Sequence, residues 1–122
     1  MYKLSELESW KSARQLRISV SELARLFPND EKYRLKDQIL RSSRSIPANI
    51  AEGYGRFHYQ ENIQFCRIAR GSLYETLEHL MCAKDEGYIT AEQFQDLNDQ
   101  ILECLKILNG YVQYLKKAKK ST

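Results

Sequence analysis

Ser72 and His79 are residue types from which a nucleophile and its general base are made. Seven positions apart on one helix, they share a side but stand about 10 Å apart along the axis. That is too far for a hydroxyl to hand its proton to the ring. Ser72 also lacks the G-x-S-x-G frame of a nucleophile elbow. Glu75 and His79 form an i,i+4 pair, a spacing typical of surface contacts. A di-metal centre in a bundle needs Glu-x-x-His on two helices, and Glu75-Thr76-Leu77-Glu78-His79 has no counterpart in this chain. Gly53-Tyr54-Gly55-Arg56 resembles the opening of a phosphate loop, but the third glycine, the lysine–serine pair and the preceding strand are missing. A left-handed helix cap accounts for both glycines. Cys66, Cys82 and Cys104 are odd in number and far apart, and His58 and His79 are the two histidines. Such a set suits neither a zinc site nor a disulfide framework. The expectation is no catalytic residue, no metal and no cofactor, with the cysteines as reduced core residues in the cytoplasm.

Charge offers a different chemistry. The net charge of +3 is small, but it is unevenly spread. Residues 1–70 hold 13 basic and 8 acidic side chains, and all nine arginines, while residues 71–122 hold 6 basic and 8 acidic. Between Arg34 and Arg70 seven basic residues face three acidic ones, Asp37, Glu52 and Glu61. A lysine tail follows at Lys116, Lys117, Lys119 and Lys120. Arginine's planar fork suits phosphate oxygens. The alternative is a solvated helix surface. The candidate nucleic-acid-binding residues are Arg41, Arg44, Arg56, Arg67, Arg70, Lys116, Lys117, Lys119 and Lys120.

The densest stretch runs from Gln38 to Arg56. It mixes Ser42, Ser43, Ser45, Asn49 and Glu52 into a helix that should face a core. Buried polar groups need partners. One reading is a polar network of Asn49, Glu52, Ser72 and Glu75 that locks the second helix to the third. The other is a binding site.

Four elements must position these residues. Leu7, Trp10, Ala13, Leu16, Val20, Leu23 and Phe27 recur at three and four, one helical stripe. Ser5 with Glu8 could cap it, and Pro28 stops it. A second helix carries Leu35, Ile39, Ile46 and Ile50, with a kink or short break expected at Pro47. A third spans Tyr59 to Asp85, with Gly71-Ser72 as a place of close approach. Glu86-Gly87-Tyr88-Ile89 turns the chain, and Thr90 with Gln93 forms a capping box for a fourth helix. Residues 116–122 are expected to fray. The fold class is all-α: one domain, residues 1–122, an antiparallel up-down-up-down four-helix bundle.

A chain of 122 residues with 43% hydrophobic and 29% charged residues can bury a real core. Its apolar runs are too short to span a membrane, and no signal-peptide pattern opens it. Apolar residues off the stripes, among them Tyr54, Phe57, Ile68, Tyr74, Tyr111 and Tyr114, fit a subunit interface.

The run Ser45-Ile46-Pro47-Ala48-Asn49-Ile50-Ala51-Glu52-Gly53 resembles the signature of bacterial four-helix-bundle proteins encoded in intervening sequences of 23S ribosomal RNA genes. The resemblance continues through Leu7-Glu8-Ser9-Trp10, Phe27-Pro28, Ile68-Ala69-Arg70-Gly71-Ser72-Leu73, Glu75 and Gly87-Tyr88-Ile89. It implies a fold similar to the accessory variability protein of diversity-generating retroelements, and a pentameric ring of bundles. It also implies binding of RNA or DNA through a basic surface, with a reverse transcriptase or another protein as a partner. No catalytic residue is implied. The reading that follows is a non-enzymatic homo-oligomer that binds nucleic acid, structured RNA foremost. A protein-interaction scaffold without nucleic acid is the alternative.

Overall fold

The computed structural model describes residues 3–121. Four helices account for most of them: α1 Glu8–Ala24, α2 Leu35–Tyr54, α3 Tyr59–Asp85 and α4 Ala91–Lys120. Short 3-10 turns, Leu4–Glu6 and Asn29–Glu31, precede α1 and α2. Among the described residues there is no strand, and no helix is long and apolar enough to cross a membrane. Each helix packs on its chain neighbour, and α4 closes the ring against α1. Cross-contacts give the directions. Ser45 meets Ser72 and Ser42 meets Thr76, so α2 and α3 are antiparallel. Gln60 meets Lys119 while Lys84 meets Phe94, so α3 and α4 are too.

The stripes become the core. Leu16, Val20, Ile39, Ile46, Ile50, Ile63, Leu73, Leu80, Ile101 and Leu108 are all buried. Such side chains each contribute about 1.5–3 kcal/mol on leaving water. Cys66 and Cys104 join them, and all three cysteines are free thiols. Burial pushes the Cys66 thiol up to about 11, so it stays protonated and unreactive near neutral pH.

Several local expectations are corrected. The short break expected at Pro47 does not occur, since α2 continues through it to Tyr54. The Ser42 and Ser43 hydroxyls donate to the Ile39 and Leu40 carbonyls beside it, both at 3.2 Å. The chain enters α1 from a 3-10 turn, so Leu7 is the N-cap and Ser5 makes no cap bond. Neither Gly53 nor Gly55 is a left-handed cap: Gly53 lies inside α2, and Gly55 has φ −78°. The left-handed glycine is Gly87, φ 77°, in the α3–α4 turn. Gly71 faces open space, and it is Ser72 that meets α2. The basic tail is helical as far as Lys120, because α4 carries its hydrogen bonds through it. Thr122, the last residue of that expected frayed segment, lies outside the described residues. The Thr90–Gln93 capping box forms as its residue types require, with bonds of 3.0 and 2.8 Å.

One end of the bundle is pinned by Tyr88. Its hydroxyl donates to Glu31 Oε2 at 2.6 Å, and its ring packs 5.9 Å from that of Phe27. The hydrogen bond to the Glu31 carboxylate, then burial, then nearby negative charge push the Tyr88 hydroxyl up to about 12. The unfolded value is about 10. The folded chain therefore holds this proton longer, so the contact stabilises fully below pH of about 10 and fades as pH rises through about 12. Urea unfolding of wild type and Tyr88→Phe across that range should show wild type ahead at pH of about 8 and the gap closing above about 10. A gap that does not change with pH would mean the bond to Glu31 is not made.

Candidate nucleic-acid interface

The basic candidates fall into three places. Arg41 is exposed on α2 and ion-paired to Asp37 at 2.9 Å. Arg44 is exposed on the same helix. Arg56, just past the end of α2, is held by Glu52 at 2.8 Å and Glu61 at 3.6 Å, with its guanidinium 4.9 Å from the Phe65 ring centre. Its charge is largely compensated.

The remaining six come together on the α3–α4 seam. Two adjoining hollows, of about 470 and 330 Å³, share Arg67, Lys116 and Gln113. Lys117, Lys119 and Lys120 line the first and Arg70 the second. The antiparallel packing of α3 and α4 does this, setting the first half of α3 beside the last turns of α4. Among the described residues no carboxylate lines either hollow. Among the described residues, none lies within ion-pair distance of Arg67, Arg70, Lys116, Lys117 or Lys120. Lys119 Nζ donates to Gln60 Oε1 at 2.6 Å. Gln60, Asn109 and Gln113 supply neutral hydrogen-bonding groups between the cations. These amides are absent from the sequence-based candidates, since nothing about a surface glutamine marks it until its neighbours are known.

The polar network differs from the expected one. Asn49 Nδ2 donates to the Ser45 carbonyl at 2.8 Å and lies 3.0 Å from Ser45 Oγ. Ser45 and Ser72 hydroxyls are 2.6 Å apart, and Ser42 and Thr76 hydroxyls 2.9 Å apart. Thr76 Oγ1 donates to the Ser72 carbonyl at 2.8 Å. Asn49 and Ser72 thus belong to a hydroxyl ladder between α2 and α3. Glu52 and Glu75 do not: their side chains are 54% and 58% exposed, paired to Arg56 and His79 on their own surfaces. Burying a carboxylate costs far more than burying a hydroxyl, so the seam takes serines and a threonine. Among the described residues no cluster of His, Cys, Asp or Glu could hold a metal ion.

At the opposite end from Tyr88, a third hollow of about 680 Å³ opens between the start of α1, the α2–α3 connection and α4. Asn62 stands in its wall, donating to the Tyr111 hydroxyl at 2.9 Å. Burial raises the Tyr111 hydroxyl, partly offset by that bond from Asn62.

The chain is similar to a solved protein of unknown function from the S23 ribosomal protein family of Bacteroides thetaiotaomicron. The two are 28% identical, with a TM-score of 0.79, over 85% of this chain and 97% of that one. No curated protein matches the chain significantly. The family model described as 23S rRNA-intervening sequence protein matches residues 5–110, which include all of the signature run and most of the bundle. By that match the chain belongs to the 23S rRNA-intervening sequence protein family.

Proposed function

We propose that this protein is a non-enzymatic, cytoplasmic accessory protein that binds structured RNA along the α3–α4 seam. The observation that carries the reading is the row of cations, Arg67, Arg70, Lys116, Lys117 and Lys120 foremost, with no carboxylate among the described residues lining the hollows. Phosphate is the ligand that such a row fits, through Arg forks and Lys point charges. Contacts to phosphate position a protein without reading sequence, so binding should follow RNA shape rather than base order. DNA is the second nucleic acid such a surface accepts. The family's link to ribosomal RNA genes, carried in its name, supports RNA first.

The protein is proposed to act as a homo-oligomer, a pentameric ring by its resemblance to retroelement accessory proteins, with a reverse transcriptase as one class of protein partner. A ring would repeat the basic seam and multiply its field. The exposed rings Tyr33, Phe57 and Tyr114, at 84%, 92% and 61% exposure, favour protein contacts as well. They are the basis of the second reading, a scaffold that binds only protein.

Anisotropy of a labelled RNA hairpin, titrated at several salt concentrations, tests the seam. With four to six phosphates neutralised, log affinity should fall against log salt with a slope of about −4 to −5. An affinity that ignores salt would overturn phosphate binding. Light scattering with the 260/280 nm ratio reads mass and bound nucleic acid together. A clean oligomer without nucleic acid favours the scaffold, and a monomer removes the ring.

A further inference from the structure

The α3–α4 seam does not end with its cations. On α3, Arg67, Arg70, Tyr74, Leu77 and Met81 follow one another at three and four residues, so they form one stripe along the helix. On α4, Leu102 stands seven before Asn109 and fourteen before Lys116. Those two residues line the Arg70 hollow, so Leu102 shares their side of the helix. The antiparallel packing that sets Arg70 beside Asn109 therefore brings Tyr74, Met81 and Leu102 to one groove. They are 51%, 43% and 54% exposed. The core beneath is complete without them, since Leu73, Leu80, Ile101 and Leu108 fill it. Exposed apolar side chains gathered beside a polar rim mark a contact surface.

Charge decides what can lie there. At one end Arg67, Arg70 and Lys116 face solvent with no carboxylate within ion-pair distance among the described residues. Phosphate suits them. Lys106, four after Leu102 on the way to Asn109, carries positive charge up to the boundary. One turn beyond Arg70, about 6 Å along the axis, Tyr74 takes over the stripe. From there on acids flank the groove. Glu78 lies one turn after Tyr74, and Asp99 and Glu103 stand on either side of Leu102 in the chain, all three exposed. A nucleic-acid backbone is repelled from this end, whereas a neutral, flat base is not. The Tyr74 ring offers a face on which any base can stack. Met81 and Leu102 extend that apolar floor.

We propose that the RNA held on this seam is a duplex carrying one or two unpaired nucleotides. Its paired phosphates lie on Arg67, Arg70 and Lys116, and an unpaired base stacks on Tyr74. This assignment rests on the phosphate reading of the seam and adds which RNA that surface takes. Stacking carries no sequence code, so the preference is for unpaired bases rather than for a particular base.

Anisotropy of internally labelled RNA duplexes with equal numbers of phosphates tests it. One is blunt, one has a two-nucleotide 3′ overhang and one a two-nucleotide 5′ overhang. At least one overhanging duplex should bind about tenfold tighter than the blunt one. Tyr74→Ala should remove that advantage while leaving the blunt affinity and the salt slope unchanged, and Tyr74→Phe should keep it. Tyr74 is exposed, so neither change should disturb folding, which circular dichroism can check. Equal, salt-sensitive binding of all three duplexes would overturn the proposal and leave the seam as a phosphate site. No binding of any duplex would overturn both. A Tyr74→Ala protein that still prefers the overhang would also overturn it. So would a fall in particle mass on Tyr74→Ala, measured by light scattering, because the groove would then belong to a second copy of the chain.

Discussion

Gly53→Ala should destabilise the fold by about 1–3 kcal/mol, although alanine is the better helix former by about 1 kcal/mol. Gly53 is buried inside α2 where α3 crosses it. A Cβ there would stand 2.7 Å from Asn62 Oδ1, 2.9 Å from Phe65 Cβ and 3.1 Å from the Asn62 carbonyl oxygen. The nearest neighbour is a side chain, but it is not free to swing. Asn62 Nδ2 donates to the Tyr111 hydroxyl at 2.9 Å, and its Oδ1 accepts from the Cys66 thiol at 3.6 Å. The other two atoms move only if α3 moves. Gly71 and Gly110 supply the contrast. Both lie inside helices with nothing within 4 Å of a built Cβ. Alanine at either should stabilise by about 0.5–1 kcal/mol. Denaturant unfolding of the three variants decides it, since opposite signs are expected from one chemical change. A Gly53→Ala protein as stable as Gly71→Ala would mean that α2 and α3 do not approach through that glycine.

The same residue shows what could be read from sequence and what could not. Apolar spacing is a local property, so the stripes of α1 to α4 and the bounds of α3 at Tyr59 and Asp85 are legible without any partner. So are the Thr90–Gln93 box and the Glu52–Arg56 pair, which depend on spacing along one helix. A glycine near the end of a helical pattern is ambiguous. It can end the helix through its φ or admit another helix through its missing side chain, and Asn62 and Phe65 decide between them. Ser72 and Asn49 are readable as polar residues in need of partners, but Thr76 emerges only once Ser42 stands opposite. Spacing sets Glu52 and Glu75 beside them, whereas the cost of burying charge sends both outward. Ser9 stands four before Ala13 and seven before Leu16, on the buried stripe of α1, so its burial follows from spacing. That its hydroxyl finds no partner among the described residues depends on what packs opposite, which spacing along one helix does not give.

The seam is the other feature that exists only in the fold, and it yields the largest expected change in binding. Arg67 and Arg70 lie far from Lys116 and Lys117 in the chain, yet α3 and α4 bring them into adjoining hollows. Counterion release makes each neutralised phosphate worth roughly tenfold in affinity at about 0.1 M salt relative to 1 M. Replacing Arg67, Arg70, Lys116 and Lys117 by alanine should therefore weaken hairpin RNA binding on the order of 10³–10⁴-fold and flatten the salt slope by about 3–4. All four are exposed, so folding should change little, and circular dichroism can check that. Arg41→Ala with Arg44→Ala is the paired control. Those arginines line neither hollow, and Arg41 is already held by Asp37. Two added charges lost from another face should reduce affinity less than about tenfold through the general field alone. If the α2 pair proves as damaging as the four seam residues, RNA lies across α2 and the seam is only a solvated surface. If neither set changes affinity or slope, phosphate is not the ligand, and the exposed rings at Tyr33, Phe57 and Tyr114 become the place to look for a protein partner.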